Sequence, residues 1–243
     1  MRQRGFTLVE LLVALMVMAM LAVLSWRGVD GMARTTTATQ ARANDLVALQ
    51  NSLAQWGADL DAMADLPARG TVGASSTSIA GGASAPAGAA GGASASPSSQ
   101  PASLDWNGQV LRITRAASTN QNSGLRVVAW TRRQDAGGGW WLRWQSDLLN
   151  NQSDLQAAWL QAGVWAQNPD VIARTREVPL LPLIGWQIYY YRNDGWSNPL
   201  SSTEAAANGP DGVRLVLTLP DGGALAGVIT RDWIRPTVAG NKS

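Results

Sequence analysis

The chain has no cysteine and no histidine among its 243 residues. Their absence removes disulfides, thiolate nucleophiles, zinc sites of the usual ligand types and the commonest general base. It leaves the compartment open, because an exported chain can rely on its core alone. Aromatic residues are few and skewed, with 1 Phe and 3 Tyr beside 12 Trp. Trp is costly to expose and most often fills a core or an interface. Net charge is small, with 19 Lys plus Arg against 17 Asp plus Glu. Proline is missing between Phe6 and Leu66, and large apolar side chains are nearly missing from Ala68 to Ser103. The 46% hydrophobic content still allows a sizeable core, in one domain or two small ones.

What is present at the start is an apolar run from Phe6 to Leu24 behind Arg2 and Arg4. At about 1.5 Å per residue it is long enough to cross a bilayer as a helix. Ser25-Trp26-Arg27-Gly28 offers no small-x-small cleavage site, so an ordinary signal peptide fits poorly. Basic residues on one side only keep the start cytoplasmic and export the rest of the chain. Glu10 stands out, since a charge at the bilayer centre costs about 2.5–3.5 kcal/mol even on insertion-based scales. Without the first five residues the basic count falls from 19 to 17, equal to the acids, so the small excess of base says nothing about nucleic acid.

With no proline before Pro67, the helix is expected to run on through Leu66, roughly 90 Å at 1.5 Å per residue. Gly28 and Gly31 are expected to mark a bend or melted turn where it leaves the bilayer. Leu46, Leu49, Leu53, Trp56, Leu60 and Met63 recur at helical spacing and form one apolar face. That face packs on the protein's own sheet or, for Leu46 to Leu60, meets partner helices as a coiled seam. Asn44, Asp45, Gln50, Asp59 and Asp61 fall off the stripe and read as solvated. The next stretch, rich in Ala, Gly and Ser, cannot offset the entropy of ordering and reads as a flexible insertion. It lacks the Lys-Ser/Thr of a phosphate loop.

After Leu104 short runs alternate with turn signals. Strands are expected at Val110 to Arg115, Leu125 to Thr131, Trp140 to Gln145, Ile184 to Tyr191, Val213 to Leu219 and Leu225 to Ile234. The last two form a hairpin across Pro220-Asp221-Gly222-Gly223. Asp154 to Ala166 reads as a short helix with Leu155, Trp159 and Leu160 inward.

Gly5-Phe6-Thr7-Leu8-Val9-Glu10 resembles the signal of type IV pilins and of the pseudopilins of type II secretion. The resemblance implies that a prepilin peptidase cuts after Gly5 and methylates the new amino terminus at Phe6. It implies that Glu10 neutralises the terminal amine and that of a neighbouring subunit during filament assembly. Trp26-Arg27-Gly28-Val29-Asp30, the Leu-rich helix with Leu49-Gln50 and Asp59-Leu60, and WQIYYYRNDGW from Trp186 to Trp196 are similar to J-type minor pseudopilins. The insertion, the length of 150–170 and Gly57 depart from that pattern.

The expected fold class is therefore α+β and pilin-like: a long N-terminal helix, membrane-spanning and then amphipathic, packed on a mostly antiparallel C-terminal β-region. The parts are a basic leader (1–5), an assembly helix (6–25), an exported helix (26–66), the insertion (67–103), a β-rich periplasmic head (104–236) and a tail (237–243). J-type likeness implies a tip component of the pseudopilus in the bacterial inner membrane. Its partners would be I-type and K-type minor pseudopilins, the major pseudopilin, the peptidase and secreted exoproteins, with no nucleic acid, cofactor, metal or catalytic residue. The same N-terminus fits a minor pilin of a type IV pilus or DNA-uptake filament. A third reading is a carbohydrate- or single-strand-binding module with Trp140, Trp141 and Trp144 as a stacking platform beside Arg132, Arg133 and Arg143. An enzyme would need paired carboxylates, such as Asp59 with Asp61 or Asp211 with Asp221, but these sit on a solvated helix face or in turns where Asp is favoured locally.

Overall fold

A computed structural model describes residues 7–66, 100–118, 122–201, 209–223 and 225–236. The chain divides into two units, Met1–Val47 and Ala48–Ser243. The first unit consists, where described, of the N-terminal part of α1 (Leu8–Asp61). None of its side chains from Thr7 to Val47 is buried. Gly28 and Gly31 lie in unbroken α-helix, so the expected melted turn is absent. Asp30 and Arg34 are bridged at 3.0 Å one turn apart. Thr35, Thr36, Thr37 and Thr39 each donate to the carbonyl four residues back, which satisfies their hydroxyls within the helix.

In the second unit α1 stops at Asp61, earlier than the proline-based expectation of Leu66. The reason is a competing backbone partner. Met63 bridges to Arg115, the Ala64 N–H donates to the Thr114 carbonyl, and the Ala116 N–H donates to the Ala62 carbonyl. The chain thus leaves the helix to run along a strand, and Pro67 further disfavours α geometry at Leu66. The Leu66 N–H donates to Ser103 Oγ at 2.8 Å. The Ala/Gly/Ser insertion therefore leaves and re-enters at one place; residues 67–99 themselves lie outside the described residues.

Nine strands form two antiparallel sheets among the described residues. The first has the order β1 (Leu104–Trp106), β2 (Val110–Ser118), β3 (Ser123–Asp135), β4 (Gly138–Gln145) and β5 (Glu177–Pro182). The second has the order β7 (Gly195–Ser197), β6 (Gly185–Arg192), β8 (Gly212–Leu219) and β9 (Gly227–Ile234). Helices α2 (Gln152–Gln167) and α3 (Val171–Thr175) lie between β4 and β5 in sequence. Asn151 caps α2 by accepting from the Asp154 N–H, and Asp170 caps α3 by accepting from the Ala173 N–H. The α+β class expected from the sequence is the class observed.

Both faces of the first sheet are covered, and the two-residue period of a strand sorts its side chains between two cores. Val128, Trp130 and Trp141 enter one core, with Trp56 and Leu60 of α1, and Ile188, Leu215 and Leu217 of the second sheet. Val127, Ala129, Leu142 and Trp144 enter the other, with Leu155, Ala158, Trp159, Ala162 and Trp165 of α2. Leu160 is exposed, contrary to the expected inward face, because the buried stripe of α2 runs through Leu155, Ala158, Trp159, Ala162 and Trp165 and Leu160 falls off it.

β6 turns into β7 through Asn193 and Asp194, both with positive φ (48° and 60°). Two left-handed residues make the type I′ turn whose twist suits a two-residue hairpin. Asn and Asp tolerate that backbone better than most residues.

Candidate functional site

The functional residues singled out from the sequence lie first at the amino end. Gly5 and Phe6 lie outside the described residues. Thr7 immediately precedes α1, and Glu10 lies in its first turn. The Glu10 N–H approaches Thr7 Oγ1 at 3.4 Å, and the Thr7 hydroxyl approaches Glu10 Oε2 at 3.4 Å. Thr-x-x-Glu is the spacing of a capping box, in which the hydroxyl serves an orphan amide of the first turn. A carboxylate there also lies at the positive end of the helix dipole. Beyond it Leu11, Leu12, Leu15, Met16, Leu21 and Leu24 are all more than half exposed. The helix is long and apolar enough to cross a membrane, with mean hydropathy 2.6 in its most apolar stretch.

Residues 1–26 match the prokaryotic N-terminal methylation motif. The chain thus carries a type IV pilin-like prepilin signal, and the apolar helix behind it is a membrane anchor of the kind that signal accompanies. Glu10 and the Gly5-Phe6 junction fall inside the matched segment. No curated protein matches the chain.

The second group of candidates, the helical stripe, is divided by the structure. Trp56 and Leu60 are wholly buried in the protein's own core, and Leu49 and Leu53 pack against it. Trp56 and Leu60 are corrected: a side chain already enclosed by its own sheets has no surface left for a partner helix, whereas Leu49 and Leu53 are only half-buried. Leu46 stays exposed.

Asp59 is the larger correction, since it read as solvated and is fully buried. Arg143 grips it with two bonds, Nε to Oδ2 at 2.8 Å and Nη2 to Oδ1 at 2.9 Å. Arg115 Nη1 donates to Oδ1 at 2.5 Å, Trp130 Nε1 to Oδ2 at 3.1 Å, and Gln55 Nε2 to Oδ1 at 3.1 Å. Five donated bonds on one carboxylate, three of them from two arginines, compensate its burial. This cluster fastens the end of α1 to β2, β3 and β4. Asp61, the last residue of α1, accepts from Trp233 Nε1 of β9 at 2.7 Å. Two carboxylates two residues apart thus reach different sheets, and they do not converge as an acid–base pair.

Two further ion pairs secure α2 and β5. Arg112, almost fully buried, bonds Asp105 at 2.5 Å and lies 4.6 Å from the Trp159 ring centroid. Arg133 bonds both oxygens of Glu177, which also accepts from Trp165 Nε1 at 2.7 Å. Arg143 and Arg133 are therefore committed to carboxylates. The stacking platform of Trp140, Trp141 and Trp144 is also corrected. Trp141 and Trp144 are fully enclosed on opposite faces of the sheet, and Trp140 packs partly against the α2 core. A strand does send adjacent residues to opposite sides, but here both sides are covered.

The sequence missed Asp59 because its periodicity placed the residue beside the apolar stripe. A signal was present in the strands: Arg143 sits between Trp141 and Gln145 on one side of β4, at a position facing α1. An arginine at an inward position requires a buried acceptor.

Proposed function

We propose that the protein is a J-type minor pseudopilin, a tip component of the type II secretion pseudopilus. The observation that carries the reading is the methylation motif at 1–26 leading into an exposed apolar helix whose far end is built into a β-rich head. On this reading the peptidase cleaves after Gly5, Phe6 receives the methyl group, and the cytoplasmic leader is lost. The helix stays in the inner membrane, and the head is periplasmic. Glu10 pairs with the amine of a neighbouring subunit as helices bundle, because two opposite charges in a low-dielectric surrounding attract far more strongly than in water. The I-type and K-type minor pseudopilins and the major pseudopilin are its filament partners. The protein catalyses no reaction and binds no cofactor or nucleic acid. Its head gives the growing tip a shape that engages folded exoproteins.

The J-type assignment rests on the Trp26 to Asp30 segment, the helix around Asp59-Leu60, and the Trp186 to Trp196 segment. The last folds as strand, type I′ turn and strand, with Tyr191 and Trp196 in register and their rings 5.2 Å apart. A minor pilin of a type IV pilus or uptake filament shares the same N-terminus and is the second reading. The test is the secreted proteome of a strain lacking the gene, beside its parent and a complemented strain. Retention of several folded enzymes in the periplasm, with pili and DNA uptake normal, is expected. Normal secretion with lost pili or uptake would transfer the protein to the other machine.

A further inference from the structure

The four outer edges of the two sheets are not alike. β1 and β7 are three residues long, and β5 carries Pro179 and Pro182. Short strands and prolines are the usual means by which proteins keep edges from pairing. β9 is eight residues, Gly227 to Ile234, without proline, and among the described residues no strand pairs with its outer side.

The register fixes which of its amides face outward. The Arg235 N–H donates to the Asp211 carbonyl at 2.8 Å, in line with the pairing that sets Gly212 opposite Ile234. Hydrogen-bonded and non-bonded pairs alternate along an antiparallel ladder. Ile229, Arg231 and Trp233 therefore spend their backbone groups on β8. Val228, Thr230, Asp232 and Ile234 turn theirs outward. Side chains alternate in the same way: Trp233 and Ile229 reach the core, while Val228 and Ile234 are 68% and 45% exposed. Thr230, Arg231 and Asp232 are exposed as well, and Ile229 is half-buried.

We propose that the outer edge of β9 docks an extended segment of a different polypeptide, antiparallel to β9, with apolar residues opposite Val228 and Ile234 and an acidic residue opposite Arg231. Main-chain bonds from the four outward residues would supply affinity, and the flanking side chains would supply selectivity. A second copy of this chain is disfavoured by charge. The self-pairing that uses all four outward residues sets Val228 against Ile234 and Thr230 against Asp232, and it places the two copies' Arg231 side chains directly opposite each other. Like charges so placed are destabilising. The site does not rest on the choice between secretion and pilus machinery.

The test is residue-resolved hydrogen exchange of the full chain in detergent, alone and with the synthetic peptide Val-Val-Thr-Glu-Thr-Val-Val. In the protein alone, the amides of Thr230 and Asp232 should exchange fast and those of Ile229, Arg231 and Trp233 slowly. The peptide should slow the fast pair roughly tenfold or more at saturation. A peptide N-methylated on both threonines, whose amides would face β9, should have no effect. Thr230→Pro removes one outward donor without touching the β8 ladder and should abolish the response. Val228→Lys keeps that amide and should weaken it. Slow exchange at Ile229 and Trp233 in both variants would show that β9 still pairs with β8. Three results would overturn the proposal: Thr230 and Asp232 already slow in the monomeric chain, protection that grows with protein concentration without peptide, or a parent peptide that protects no better than its N-methylated form.

Discussion

The two units of this chain are built by opposite rules. From Thr7 to Val47 nothing is buried, and the sequence matters as a line: a junction at Gly5-Phe6, a glutamate at 10, an apolar run. From Ala48 onward the sequence matters through enclosure. Trp56, Trp130, Trp141, Trp144, Trp159 and Trp165 are completely inaccessible, whereas Trp26 in the first unit is 76% exposed. A linear signal is read by other proteins and must stay accessible to them. A packed head is read only after folding. Substitutions in the second unit should therefore act on stability, and those in the first should leave stability alone and act on processing or assembly.

The largest expected effect is at Asp59. Asp59→Asn keeps the shape but leaves two cations without their carboxylate, and breaking a buried pair on one side costs about 3–5 kcal/mol. Chemical denaturation of the full chain in detergent, followed by tryptophan fluorescence, would measure it. A loss below about 1 kcal/mol, the range of exposed pairs, would break the contrast between the units. Trp144→Ala should cost about 3–5 kcal/mol by opening a cavity between β4 and α2, read by the same titration. The ring lies 6.1 Å from that of Trp165, so α2 should lose protection from exchange first.

A smaller effect is expected at Gly139. A Cβ there would come within 3 Å of the Leu183 carbonyl and the Arg132 guanidinium, where the Leu183 N–H also donates to the Gly139 carbonyl at 2.8 Å. Gly139→Ala should cost about 1–3 kcal/mol as overpacking, visible as a lowered melting temperature. Asp232 should contribute less. Hydrogen bonds from the Arg214 guanidinium hold its carboxyl below the usual carboxylate range. A depressed folded pKa means stability present above the unfolded pKa and lost as pH falls through the folded one. The pair is more than a third exposed on the carboxylate side, so solvent screening keeps the gain small. Asp232→Asn should thus lower stability slightly near neutrality and match the parent in acid. Glu10→Gln should not move the head's unfolding at all, while the protein fails to enter filaments.

Legibility in the sequence divides along the same line. Six of the strands announced themselves because Val, Leu, Ile and Trp alternate or cluster between turn residues. β5 did not, because Pro179 and Pro182 interrupt the pattern that a strand normally shows, and the edge position is what permits them. β1 and β7 are too short to leave a period. The end of α1 was placed five residues late because backbone bonds to β2 compete with the helix, a contact between distant segments that no local pattern encodes. The N-terminal methylation motif at 1–26 was legible, being linear. Asp59 was misread because its partners, Arg115 and Arg143, lie 56 and 84 residues away. The tryptophans at 140, 141 and 144 suggested a platform only while the covering of the sheet's second face by α2 was unknown.

The measurement that bears most directly on the account is the mass and terminal sequence of the mature protein purified from membranes, with and without an active prepilin peptidase. A chain that begins at a methylated Phe6 is expected in the first case, and one that keeps residues 1–5 in the second. A mature chain that begins at Met1 in both, or that has lost the apolar helix by cleavage after it, would contradict the reading of the first unit as a processed, retained assembly anchor.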